Sequence, residues 1–275
     1  MNNLADLNRF AASFKDQSKL MPVLFIGHGS PMNGIENNEF SNRWKELAIE
    51  IPRPKAVLVV SAHWFTNGTF ITAMDNPPTI HDFYGFPKEL ENTVYPAPGD
   101  PVLAAETAKL LSPVQVGLDH DWGLDHGAWT VVKHMFPEAD IPVLQLSIDY
   151  SKGPRYHYDL AGQLSVLRKK GVLILGSGNM VHNLRMISWP MINGGGYDWA
   201  LDLNEQFKKL ISSKTHAPLI DYEKLGHAGN LAIPTPEHYL PLLYSLGLQK
   251  DSDEISFFND KAVGGSLTMT SVKLG

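Results

Sequence analysis

Val23-Leu24-Phe25-Ile26-Gly27-His28-Gly29-Ser30-Pro31 decides the fold. An unbroken apolar run of this length reads as a strand covered on both faces, the kind that a parallel sheet buries. Gly27, Gly29 and Pro31 then end it, the glycines by reaching unusual backbone angles and the proline by removing a donor. His28 is thereby delivered to a strand's carboxyl end, where open α/β sheets place their ligand crevices. Ala56-Val57-Leu58-Val59-Val60-Ser61-Ala62 repeats the arrangement and leads into His63, Trp64 and Phe65. Two strand-end histidines point to a shared metal ion.

A third apolar run, Val172-Leu173-Ile174-Leu175, enters Gly176-Ser177-Gly178-Asn179-Met180-Val181-His182-Asn183. Its glycines do not make a dinucleotide fingerprint, because Val181 stands at the third glycine position and no acidic residue closes a βαβ unit. Between these runs the pattern predicts helices. One is capped by Asn37-Asn38 and runs to about Glu50; another starts at Asp100-Pro101 and runs to about Leu111. A third, opened by the loop Trp122 to Gly127, runs through His134, and two more cover Pro154 to Lys170 and Tyr197 to Ser212. Short or buried strands are expected near Val114–Val116 and over Ile141–Ile148. Pro234-Thr235-Pro236-Glu237-His238 predicts a last helix to about Ser245, with Thr235 as cap and Pro236 at its first position. Two closing strands are expected around 255 to 259 and 266 to 272.

The expected architecture is therefore α/β: one domain over residues 1–275, with a central, mostly parallel sheet flanked by helices and a metal site at the strands' carboxyl ends. Residues 1–20 form an extension that can wind into an amphipathic helix with Leu4, Leu7, Phe10, Ala11 and Phe14 on one face. Residues 75 to 101, rich in proline and aromatic rings, are the least regular stretch. They read either as a wall or lid over the site, with His81-Asp82-Phe83-Tyr84 facing substrate, or as a loop whose rings fold onto the core.

Composition narrows the function. The 275 residues are 43% hydrophobic and 19% charged, as in ordinary globular proteins, and the net charge of -6 argues against a nucleic-acid binder. No run is long enough to span a membrane and no signal peptide is evident, so a cytoplasmic protein is expected. The absence of cysteine leaves histidine and carboxylates as metal ligands. Of eleven histidines, His120, His134, His157, His216 and His227 lie in contexts that need no chemistry. His28, His63 and His182 follow apolar strands, and His238 stands beside Glu237 at an expected helix start. Neutral imidazoles with a carboxylate suit zinc or ferrous iron. Two histidines and one carboxylate leave positions for oxygen and substrate, whereas four histidines around tetrahedral zinc leave none. Glu237 and His238 point about 100° apart on a helix, and either can be the ligand.

Gly27-His28-Gly29-Ser30-Pro31, Ser61-Ala62-His63-Trp64, Thr79-Ile80-His81-Asp82-Phe83, Leu124-Asp125-His126-Gly127, Gly178-Asn179-Met180-Val181-His182-Asn183 and Thr235-Pro236-Glu237-His238-Tyr239 together resemble the motifs of the 4,5-DOPA extradiol dioxygenase family. That family belongs to the class III extradiol ring-cleavage dioxygenases, and the resemblance runs in order from Met21 onward, most like the bacterial single-chain type. It implies a mononuclear non-haem Fe(II) site, with Zn(II) able to occupy it in purified protein, and insertion of both atoms of O2 into a catechol such as DOPA. It implies metal ligation by His28, His63, His182 and His238. In the wider class the position of His182 is instead an acid/base and a glutamate completes the iron site. His126 is then the leading candidate for proton transfer and His182 its competitor, with His81 and Ser30 on the substrate side. Partners are expected to be a small-molecule catechol and O2, with the protein a monomer or small homo-oligomer. The alternative is a zinc-dependent hydrolase on the same scaffold using Glu237 as general base. A binding protein with an inherited pocket is a third reading. Ser30 as nucleophile is weaker, for it lacks the Gly-x-Ser-x-Gly elbow.

Overall fold

The computed structural model describes residues 19–275, and all but the last two residues of the expected N-terminal helix fall outside them. The apolar runs form strands β1 (Val23–Gly27), β2 (Ala56–Ser61), β3 (Val143–Gln145) and β4 (Val172–Gly178), and the chain ends in β5 (Ile255–Phe258) and β6 (Ser271–Leu274). They make one sheet in the order β3-β2-β4-β1-β6-β5. The first four of these run parallel, while β6 is antiparallel to both β1 and β5.

Both faces of the sheet are covered, which is why its strands are apolar without alternation. Leu24, Ile26, Val57 and Val59 face one core with Trp44 and Leu47 of helix α1 (Glu39–Glu50). Val23, Phe25, Leu58 and Val60 face the other, with Leu103 of α2 (Pro101–Leu110). Trp129 and Val132 of α3 (His126–Met135) join the first core. Helices α4 (Pro154–Gln163), α5 (Asp198–Ser212) and α6 (Leu240–Gly247) pack on the second through Leu160, Phe207 and Leu243. The helix starts are local chemistry. Asn38 Oδ1 accepts from the amides of Phe40 and Ser41, and Asp100 Oδ1 from Leu103 N.

Five elements depart from the sequence pattern, one being the closing strand expected over 266 to 272, which splits into Leu267–Thr268, paired with Ala262–Val263, and Ser271–Leu274 in the main sheet. The helix expected from Pro236 begins at Leu240, and Tyr239 N and Leu240 N both donate to Pro236 O in a turn. A helix begun at Pro236 would hold Pro241 in its interior, without an amide hydrogen and against the preceding turn. Starting at Leu240 puts Pro241 in the first turn, and Thr235 Oγ1 bonds Glu237 Oε1 instead of capping backbone. The run Ile141–Ile148 splits after Gln145, because Ser147 is drawn off the main sheet by Phe70 N and Thr66 Oγ1, and Ile148–Asp149 pairs with Phe65–Thr66. The span 154 to 170 breaks at Leu164, just after Gly162, into α4 and a short helix Ser165–Lys169. The strand expected near Val114–Val116 is Val116–Asp119, paired with Thr69–Thr72. No helix among the described residues is long and apolar enough to cross a membrane.

Candidate metal centre

β4 is the axis of the site because it lies between β1 and β2, with Gly178 opposite Gly27 and Ser177 opposite Ser61. The two flanking chains stay bonded to it as they leave the sheet, His28 N to Gly178 O and Ala62 N to Ser177 O. His28 and His63 therefore arrive from opposite sides of one strand end. Gly29 takes φ +63° directly after His28, turning the chain away in a conformation that side chains other than glycine's rarely adopt. His238 enters from beyond β4, where its carbonyl accepts from Asn179 N. A Cβ on Gly178 would lie 2.1 Å from that oxygen.

Ring nitrogens of His28, His63 and His238 lie within 4.8 Å of one another. Hydrogen-bond partners fix where their protons sit. Ser177 Oγ donates its single proton to Gly127 O at 2.5 Å, so towards His28 Nδ1, 3.0 Å away, it can only accept. His28 thus carries its proton on Nδ1 and presents a bare Nε2. His63 Nδ1 lies 3.2 Å from Asp82 Oδ2, which accepts only, so the neutral ring has a bare Nε2 as well. His238 Nδ1 lies 3.4 Å from Glu237 Oε1. The bare Nε2 atoms of His28 and His63 face each other at 3.2 Å. Two lone pairs at that distance repel unless a metal ion or a proton lies between them. Ligands on one zinc-like ion, with bonds of about 2.0–2.1 Å at tetrahedral angles, stand roughly 3.3 Å apart. The residues therefore fit a metal, and each ring is oriented from behind by an oxygen, as ligating imidazoles generally are.

Electrostatics agree. Burial, and then the charges of the neighbouring histidines, hold His28 and His238 well below the ordinary imidazole value, so both rings are neutral at pH 7. Burial also disfavours the His63 cation, but Asp82 and Asp125 outweigh it and raise its pKa. Asp82 is pushed up by burial, yet His126 and His63 beside it hold its carboxyl well below the usual carboxylate range. Asp125 is fully buried, caps α3 through Ala128 N, and accepts from Ser61 Oγ and Gln145 Nε2.

The remaining candidates surround this group. His126 opens α3, with its ring centre 3.8 Å from that of His63, and Nδ1 lies 3.0 Å from Asp82 Oδ1. Burial lowers its pKa although Asp82 opposes the shift. His182 lies outside the triad, stacked on His238 with ring centres 3.6 Å apart and planes at 7°, and burial lowers its pKa to about 4. Ser30 is exposed and caps the turn Pro31–Gly34, its Oγ accepting from Met32 N. His81 Nε2 bonds Thr93 O, and its ring packs against Phe83 and Trp129. The rings of the irregular stretch fold onto the core, where Phe83 and Tyr95 are buried, while Asp82 lies beside His63. Asp82 and Asp125 are the site residues that sequence reasoning did not single out. The signal for Asp82 was an acid alone among rings and prolines, and for Asp125 an N-cap before a helix-opening histidine.

A model of the family described as the catalytic LigB subunit of aromatic ring-opening dioxygenase matches residues 22–266. The chain is 48% identical to 4,5-DOPA dioxygenase extradiol of Escherichia coli (strain K12), over 94% of this chain and 96% of that protein. It is 34% identical to 4,5-DOPA dioxygenase extradiol of Beta vulgaris, over 94% and 97%. A crystal structure of an uncharacterized protein from Escherichia coli K12 superposes with a TM-score of 0.80 at 44% identity, covering 93% of this chain and 100% of that one.

Proposed function

The chain belongs to the family of the catalytic LigB subunit of aromatic ring-opening dioxygenases, and from that premise we propose that it opens the ring of DOPA or a similar catechol with O2 at a mononuclear non-haem iron. The observation that carries this reading is the approach of two bare nitrogens, His28 Nε2 and His63 Nε2, with His238 beside them. Three imidazole nitrogens suit Fe(II), and the same set accepts Zn(II) when that ion is the more available. When bound, the ferrous ion supplies the electronic link that lets O2 react with a catechol.

The chain's own residues handle the protons. His126 Nδ1 faces Asp82, so its Nε2 is the atom that accepts a phenolic proton. Burial keeps the ring neutral and ready to act as a base at pH 7, and the carboxylate behind it stabilises the cation that proton uptake creates. His182, neutral for the same reason, competes for that role, and we assign it to proton transfer rather than to a fourth ligand position. Ser30 Oγ accepts from Met32 N and keeps its own proton to donate to substrate. His81 acts through the wall it holds. The hydrolase alternative needs Glu237 as an unengaged base, but its Oε1 accepts from Thr235 and faces His238.

The test is oxygen uptake with a catechol after Fe(II) reconstitution, set against ester and amide hydrolysis after zinc loading. Uptake of one O2 per catechol supports the dioxygenase. Hydrolysis without uptake would replace it.

A further inference from the structure

We infer that Asp82 is the positioning residue that couples the candidate ligand His63 to the candidate base His126, one carboxylate oxygen serving each ring. Oδ2 lies 3.2 Å from His63 Nδ1, while Oδ1 lies 3.0 Å from His126 Nδ1 and accepts from His126 N at 2.9 Å. A carboxylate has only acceptor sites, so each neutral ring turns Nδ1–H toward it and leaves Nε2 bare, the His126 approach being a charge-pair contact and not an aligned hydrogen bond. The same group thereby sets two tautomers, one for holding an ion and one for taking a proton. An amide in its place offers a single oxygen, and its NH2 would oppose one of the two Nδ1–H groups.

Asp82 is not carried by the sheet. It sits on the irregular stretch, which is bound to the loop before α3 by Ile80 N to Leu124 O, Leu124 N to Pro78 O and Trp129 Nε1 to Ile80 O. A second anchor, Tyr95 Oη to Phe136 O at 2.8 Å, holds the same stretch away from the carboxylate. The Asp82 side chain is 19% exposed, so its contacts with the two rings are largely shielded from water. Docking of this stretch on α3 is thus what supplies the oxygen behind His63, which β2 alone delivers without a partner for its Nδ1.

The inference rests on the metal-centre reading, and the experiment separates the two. Zinc affinity of metal-stripped protein is measured by chelator competition for wild type, Asp82→Asn and Tyr95→Phe, with imidazole nitrogen NMR of the zinc-loaded proteins. Asp82→Asn should bind zinc about 10–100-fold more weakly, and His63 and His126 should lose their single Nδ1–H tautomer. Tyr95→Phe, which removes one remote anchor and leaves the Pro78 and Ile80 bonds nearer Asp82 intact, should stay within about twofold of wild type. Equal zinc affinity in Asp82→Asn, or an equal loss in Tyr95→Phe, overturns the role of Asp82. The wild-type spectrum decides even if Asp82→Asn does not fold, since an Nε2–H tautomer at either ring is incompatible with it. Wild-type protein that binds no zinc removes the metal-centre reading itself.

Discussion

His28 Nε2 and His63 Nε2 face each other at 3.2 Å across the end of β4, each with its other ring nitrogen engaged by an oxygen. Separate parts of the chain build this contact: β1 delivers one ring, β2 the other, and Ser177 and Asp82 turn them. The arrangement is poor for two uncharged rings alone and good for two rings sharing a cation.

Ser177→Ala removes the acceptor for His28 Nδ1–H, and the ring is then free to adopt the other tautomer. Metal affinity should fall about 10–100-fold with little change in global stability. Chelator competition checks the first expectation and urea unfolding the second; unchanged affinity would show that Ser177 does not orient the ligand.

Gly178→Ala would place a methyl group 2.1 Å from the His238 carbonyl. Backbone cannot yield there without moving His238 and breaking the bond from Asn179 N. Metal affinity should drop by at least about tenfold. A substituted protein that retains its metal as tightly as wild type would mean that His238 is not held as described.

Arg168 is fully buried at the far end of the sheet, bonded to Met21 O, Leu248 O and both oxygens of Asp253. Asp253→Ala leaves that guanidinium without its counter-charge and should cost about 3–5 kcal/mol in unfolding free energy. Equilibrium denaturation measures it. The metal site should be unaffected below the unfolding transition.

His157 is buried against Tyr244 Oη, and burial lowers its pKa to about 4. The unfolded chain, with an ordinary imidazole near 6.5, binds the proton first as pH falls. The stability contribution is therefore complete above about pH 6.5 and is lost progressively towards pH 4, to a limit of about 3 kcal/mol. The difference in unfolding free energy between wild type and His157→Gln, followed from pH 7.5 to 4, should narrow or reverse by that amount. A constant difference would contradict it.

Much of this site was legible before folding because strand-end position is a property of short local sequence. Apolar runs ending in small residues at His28 and His63 predicted both the sheet and the meeting of the rings. The start of the last helix was misplaced in the sequence pattern. Pro241, five residues after Pro236, marks where it begins: only one of them can occupy the first turn. Asp82 was hidden for a different reason. An irregular stretch has no periodicity, so which of four consecutive side chains faces inward is set by the bonds from Pro78–Ile80 to Leu124, contacts some forty residues apart in the chain.

The most direct test of the shared-ion account is titration of metal-free protein with Co(II), followed by its absorption bands, in wild type, His28→Ala and His63→Ala. The account predicts one ion per wild-type chain, and in either variant a loss of tight binding together with catechol-dependent oxygen uptake. Tight one-to-one binding or wild-type-like turnover in either variant would contradict it.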